Sequence, residues 1–137
     1  MQFAKASLLA AVMTISIHSA SATISTQDIA SPAGSGSPTG PACIPACRVH
    51  VEELGCIGSA DFIGACNQRT GDDTLDLGGE GCDGFTVEWS VSGDDANGAG
   101  VIFVNAPTGV IGVDVHDCKV PQAIGQCVYE GGCTVDN

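Results

Sequence analysis

The sequence has few basic residues. It carries 4 Lys and Arg against 16 Asp and Glu, which gives a formal net charge of -12 over 137 residues. Binding to nucleic acid or to an anionic membrane surface through a basic patch requires clustered Lys and Arg. The composition therefore argues against both, and we expect no nucleic-acid partner.

Aromatic residues are also scarce, with one Trp, one Tyr and four Phe. At this length a single domain is the default, and so few aromatic side chains limit the apolar area that its core can bury. Other interactions must therefore help to hold the fold.

Only one long apolar run is present, and it lies at the N-terminus. Lys5 precedes the apolar residues 6–17, and Ala20-Ser21-Ala22 matches a signal-peptide cleavage pattern. The run is shorter than the roughly 20 residues that a membrane-spanning helix needs. We expect a signal peptide over 1–22, no membrane span and extracellular localisation; an uncleaved anchor or a buried helix is the alternative. Cleavage removes one Lys and no acid, so the charge of -12 becomes -13.

Cysteine is abundant, with 8 residues that all lie downstream of the predicted cleavage site. An even number in a small secreted chain predicts four disulfides. The alternative is a zinc site, which favours paired C-x2-C spacings, whereas the closest pair here has the spacing C-x3-C. Eight cysteines allow 105 pairings, and the sequence does not select one. The cysteines are Cys43, Cys47, Cys56, Cys66, Cys82, Cys118, Cys127 and Cys133.

The chain after the signal peptide divides into two parts. Residues 23–40 are rich in Ser, Thr, Gly and Pro and predict a flexible lead or a short propeptide. Residues 41–137 contain all the cysteines and are expected to form the disulfide-stabilised domain.

Two helices are predicted at the start of this domain. Cys43, Cys47, Val51 and Leu54 recur at helical spacing and favour a helix from Ala42 to Leu54 that ends at Gly55. A second short helix is expected after it, because Ser59 suits its N-cap and Asp61 its positive end. Phe62, Ile63 and Cys66 are expected on its buried side.

Strands are predicted further along the chain. Residues 67–84 are rich in Gly and Asp and indicate a loop, whereas residues 85–91 alternate apolar and polar as a strand does. Further strands are expected over 101–105, 110–115 and 127–130. The fold class predicted is α+β, with one or two short helices packed on a small antiparallel sheet and stapled by four disulfides.

Calcium is one candidate ligand. Residues 78–86 fit the nonapeptide pattern of calcium-binding β-rolls, and carboxylates suit this ion. That architecture stacks several copies and one is present here, so a Gly- and Asp-rich surface loop explains the match equally well. The candidate calcium ligands are Asp72, Asp73, Asp76 and Asp83.

No catalytic set stands out. The G-x-S-x-G pattern of serine hydrolases is missing, and among 16 acids a pair resembling a glycosidase pair carries no information. His50 and His116 are expected to be exposed side chains. Trp89 and Tyr129 could stack on sugars, but Trp89 shares its strand face with Phe85 and is expected in the core. We therefore expect no enzyme activity, no catalytic residue, no metal and no cofactor.

A signal peptide, a short lead and an eight-cysteine domain together resemble the small cysteine-rich secreted proteins of filamentous fungi, many of them candidate effectors of virulence. The segment Pro41-Ala42-Cys43-Ile44-Pro45-Ala46-Cys47, followed by Cys56, Asp61 and Cys66, resembles the opening of the fungal CFEM domain. That resemblance implies a haem-iron ligand at Asp61, although Gly64-Ala65-Cys66 stands where the family has a C-x-C pair. The mixture of elements also resembles the killer-toxin-like α/β-sandwich effectors, which implies a toxin or effector role without catalysis.

These observations predict a secreted, monomeric, effector-like protein that binds an extracellular or host protein without catalysis. The contacts are expected in the loops 67–84 and 93–100. The alternatives are an extracellular binder of haem or calcium, a small hydrolase, and a toxin or antimicrobial protein, which the negative charge disfavours because such proteins usually approach anionic lipid.

Overall fold

The computed structural model describes residues 23–32, 43–93 and 97–137, and almost all of its regular structure is β-strand. The predicted signal peptide lies outside the described residues, as do residues 33–42 and 94–96. The strands are β1 Thr23–Pro32, β2 Cys43–Glu53, β3 Cys56–Ile63, β4 Asp73–Asp76, β5 Gly78–Glu80, β6 Thr86–Val91, β7 Gly100–Ala106, β8 Gly109–His116, β9 Gln122–Gly125, β10 Val128–Glu130 and β11 Thr134–Asp136. A single 3-10 turn, Cys66–Gln68, is the helical element of the described part.

The strands form two antiparallel sheets and a hairpin. The first sheet has the order β1-β2-β3-β5, and the second has the order β11-β8-β7-β6-β4. Within the described ranges, strands β9 and β10 pair with each other and with no other strand. Because every second residue of a strand points to the same side, each sheet can bury one face and leave the other in solvent.

The core lies between the two sheets. Val49 and Phe62 come from the first sheet, and Val87, Trp89 and Ile102 come from the second; none is measurably exposed. The Phe62 and Trp89 rings meet edge to face, with centroids 5.8 Å apart and planes at 84°. The prediction that Trp89 is a core residue is confirmed, and the fold is a two-sheet β-sandwich.

The helix predicted from Ala42 to Leu54 is wrong. Residues Cys43–Glu53 form strand β2, in which Cys47, Val49 and Val51 are buried at every second position. Spacings of four fit a period of two as well as a helical period, and the β-branched valines favour the extended form. Leu54 and Gly55 form the turn into β3, both with positive φ.

The second predicted helix is also wrong, and with it the α+β fold class. Strand β3 alternates buried Cys56, Ala60 and Phe62 with exposed Asp61 and Ile63. Ser59 and Asp61, which suggested a helix start, lie mid-strand, because pairing with β2 satisfies the backbone there. No helix packs on either sheet in the described part of the chain.

The remaining elements follow the alternation pattern more closely. The predicted strands over 85–91, 101–105 and 110–115 are observed as β6, β7 and β8, and β10 lies within 127–130. The predicted loop 67–84 contains the short strands β4 and β5. Residues 23–32, which were expected in a flexible lead, form β1 at the side of β2 with ten paired positions.

All eight cysteines are paired, which confirms the four predicted disulfides. Two of the bonds tie the first sheet to the segments that follow it, and two hold the C-terminal segment. Disulfides in this number are typical of extracellular proteins. The pairs are Cys43–Cys127, Cys47–Cys66, Cys56–Cys82 and Cys118–Cys133.

Candidate functional site

The four candidate calcium ligands do not converge. Asp72 accepts a hydrogen bond from the Ser90 hydroxyl at 3.0 Å, and Asp73 lies 3.4 Å from the Arg69 guanidinium. Asp76 and Asp83 are exposed on different segments. In residues 23–32, 43–93 and 97–137, no three His, Cys, Asp or Glu side chains are grouped so that they could hold a metal ion.

Asp61, the candidate haem ligand, takes part in an ion pair. Its two carboxylate oxygens accept hydrogen bonds from Nε and Nη2 of Arg48 at 2.8 and 3.0 Å. The two residues are directly opposed on β3 and β2. A bidentate pair of this kind orients both side chains and explains Asp61 as a cross-strand partner on the outer face of the first sheet.

Both histidines described lie beside carboxylates. His116 has Asp117 at 2.9 Å from Nδ1 and Asp136 at 3.1 Å from Nε2. Hydrogen bonds to two carboxylates raise the pKa of His116, and the bond to Asp136 contributes more than the bond to Asp117. With both ring nitrogens facing carboxylates, the protonated form is favoured. His50 lies 3.0 Å from Glu52 on the outer face of the first sheet.

The outer face of the second sheet carries acids around a strip of apolar side chains. Thr74, Glu88, Phe103 and Gly112 form one row across the sheet, and Ser90, Val101 and Asp114 form the next. We call this surface the acidic face and define it by Asp72, Asp76, Glu88, Val101, Phe103, Val110, Asp114 and Asp136.

The apolar strip runs along the middle of the acidic face. Phe103 lies over Gly112, where an added Cβ would stand 3.1 Å from the ring and 3.7 Å from the Val101 side chain. Phe103 and Val101 are half-buried, and Val110 is 62% exposed. A glycine beside an aromatic ring on a sheet surface allows the ring to lie flat across the neighbouring strand.

The Arg and Lys side chains of the described part lie away from the acidic face, whereas His116, two residues from Asp114 on β8, contacts Asp136 of that face. Arg48 is paired on the outer face of the first sheet, and Arg69 is buried with its guanidinium 4.3 Å from the Phe62 ring centroid. Lys119 lines an open cleft of about 760 Å³ between β1 and the C-terminal segment. Burial lowers the pKa of Arg69, although Asp73 opposes this effect.

Asp28 is a buried acid within the segment that was expected to be a flexible lead. It is 1% exposed, and its Oδ1 accepts a hydrogen bond from the Cys66 N–H at 2.8 Å. Its Oδ2 has no hydrogen-bond partner in the described structure. Burial raises the pKa of Asp28, and the bond from Cys66 offsets part of this rise.

The position of Phe103 on the outer face of the second sheet was also not predicted from the sequence. The run Val-Ile-Phe-Val-Asn predicts a strand, but apolar residues on both sides of it leave the buried face undecided. The polar alternation of β6 and the Gly at position 112 are the signals that could have placed Phe103 outside.

Comparison of the chain with protein-family models, curated proteins and solved structures found no match. No helix in the described part of the chain has the length and apolar content needed to span a membrane. A function must therefore be inferred from the residues and their geometry.

Proposed function

We propose that the chain is a secreted, effector-like binding protein that acts without catalysis on an extracellular or host protein. Its partner is held by the protein surface, and no metal or cofactor takes part. The apolar segment 6–17 and its cleavage pattern support secretion, and the likeness in layout to cysteine-rich fungal effectors supports the effector role.

The observation that carries this proposal is the rigid sandwich with an acidic face, on which Asp136 pairs with His116 and Asp72 with Ser90, whereas Glu88 and Asp114 have no partner among the described residues. Four disulfides restrict the chain over separations of 15 to 84 residues, so the surface is preorganised and loses little conformational entropy on binding. Charged side chains on such a surface steer association and select partners of opposite charge.

Secretion is tested by expressing the full chain in a eukaryotic host and analysing the medium. We expect a protein that begins at Thr23 and whose mass is lower than that of the reduced chain by eight hydrogens. Retention in the cells, or a secreted product with free thiols, would contradict the proposal.

Binding is tested by cross-linking the oxidised protein in extracellular fluid, identifying the partner and repeating the measurement with both proteins pure. We expect a saturable complex that is lost after reduction and alkylation of the disulfides, because the sandwich presents the surface. If a reduced and unfolded chain binds equally well, the folded surface is not the binding element and the proposal fails.

A further inference from the structure

We propose that the acidic face binds an extended protein segment with a basic side chain at positions i and i+4 and an apolar one at i+2. The inference rests on the proposed function, because it names the surface and the chemistry of the partner. Its structural basis is the placement of Glu88 and Asp114 on either side of the Val101 and Phe103 side chains.

The spacing of the two acids selects an extended ligand. Glu88 on β6 lies directly opposite Phe103 on β7, and Asp114 on β8 lies directly opposite Val101 on β7. Neighbouring strands lie about 4.8 Å apart, and residues two apart along a strand are separated by about 6.8 Å, which places the two acids about 12 Å apart. Residues i and i+4 of an extended segment are about 13 Å apart and point to the same side.

The apolar strip supplies the centre of the contact. The midpoint between the two acids falls over Val101 and Phe103, which are half-buried side chains of the outer face. An apolar side chain at i+2 would cover this strip and remove it from water, which is favourable in proportion to the area covered. Polar or charged side chains at i+2 would lose this contribution.

The charges of the acidic face favour a basic occupant. Glu88 and Asp114 have no ion-pair or hydrogen-bond partner within the described ranges, whereas Glu52 and Asp61 on the first sheet pair with His50 and Arg48. Asp114 also directly opposes Asp136 across β8 and β11, and Asp136 contacts His116 at 3.1 Å. The carboxylate of this opposed pair that has no partner among the described residues is therefore that of Asp114, and a cation beside it relieves the repulsion between like charges.

The same charges disfavour a second copy of this chain as the occupant. Two acidic faces brought together would place uncompensated carboxylates against each other, which costs free energy at a desolvated interface. A basic segment of another protein meets no such repulsion.

The proposal is tested with two synthetic peptides of equal composition. GKTLTKG places its lysines at i and i+4 around a leucine, and GKKLTTG carries the same residues with adjacent lysines. Binding to the oxidised protein is measured by NMR titration at low ionic strength. We expect GKTLTKG to bind about tenfold more tightly, the effect of one well-placed charge pair, and to shift the amide signals of Val101, Phe103 and Asp114.

Matched variants locate the contact. The double variant Glu88→Gln, Asp114→Asn is expected to weaken GKTLTKG binding about tenfold and to remove its preference over GKKLTTG. Glu52→Gln removes a charge from the outer face of the first sheet and is expected to leave both affinities unchanged. All three side chains are on outer faces, so the variants should fold, which circular dichroism checks.

Equal binding of the two peptides, or equal weakening by Glu52→Gln, would show diffuse charge attraction and overturn the proposal. If the complex with the identified partner persists in the Glu88→Gln, Asp114→Asn variant and the peptides do not bind, the acidic face is the wrong surface although the binding function stands. If the protein prefers GKTLTKG as expected but no protein partner binds, the binding role of the acidic face is supported and the proposed function is contradicted.

Discussion

Replacement of Asp28 by Asn should remove a pH-dependent cost from the fold. The side chain is 1% exposed in β1, and only one of its two carboxylate oxygens has a hydrogen-bond partner. Asn keeps the oxygen that accepts the Cys66 N–H and is neutral at every pH. It therefore imitates the protonated acid, which burial favours in the folded protein.

The direction of the stability change in Asp28→Asn follows from the burial of the Asp28 carboxylate. Because the folded pKa is raised, the unfolded chain releases the Asp28 proton at a lower pH than the folded chain does. The contribution of protonated Asp28 to the stability of the native fold is fully present below the ordinary pKa of 3.8. It is lost as the pH rises through the pKa of Asp28 in the folded protein. Asn leaves its own amide nitrogen without a partner at every pH, so the measurable effect is the pH-dependent part: between acid and neutral pH the stability of Asp28→Asn relative to the native chain should rise, by about 1.4 kcal/mol for each pH unit by which burial raises the pKa of Asp28.

The assay is urea unfolding with intact disulfides, followed by Trp89 fluorescence from about pH 3 to about pH 8. The gain in Asp28→Asn should disappear at the acid end. Asp28→Ala serves as the contrast, because it leaves the buried Cys66 N–H without an acceptor and should be less stable than Asp28→Asn by about 1–3 kcal/mol. Identical pH dependence in the native chain and Asp28→Asn, or equal stability of the two variants, would refute the reasoning.

Two further substitutions test neighbouring parts of the fold. Asp136→Asn should lower the pKa of His116, because Asp136 makes the largest contribution to its rise; an NMR titration midpoint that does not move would contradict this. Gly131→Ala should cost about 1–3 kcal/mol of stability, since its φ is +153° and a new Cβ would collide with the Asp28 carboxylate. Gly109→Ala is the control, because a Cβ there meets nothing within 4 Å; equal losses in urea unfolding would show that the collision is unimportant.

Strands β6, β7, β8 and β10 were predictable from local pattern, whereas β9 and β11 were not predicted. In β6 the alternation around Trp89 identifies both the strand and its buried face, since one side packs on the core and the other meets water. The cysteine count likewise predicted four disulfides, because a small chain with a predicted signal peptide and few aromatic residues needs cross-links. The net charge of the chain also follows from composition alone.

Tertiary structure decided the rest. In β2, the β-branched Val49 favours a strand, but the spacing of Cys43 and Cys47 fits a helix as well as a strand. The pairing of β2 with β1 and β3 decides for the strand. Asp28 becomes a buried acid because the Cys66 N–H, 38 residues away, folds against it. The acidic face exists because strand register places Glu88 and Asp114 around the same apolar strip, and register depends on contacts between segments distant in sequence.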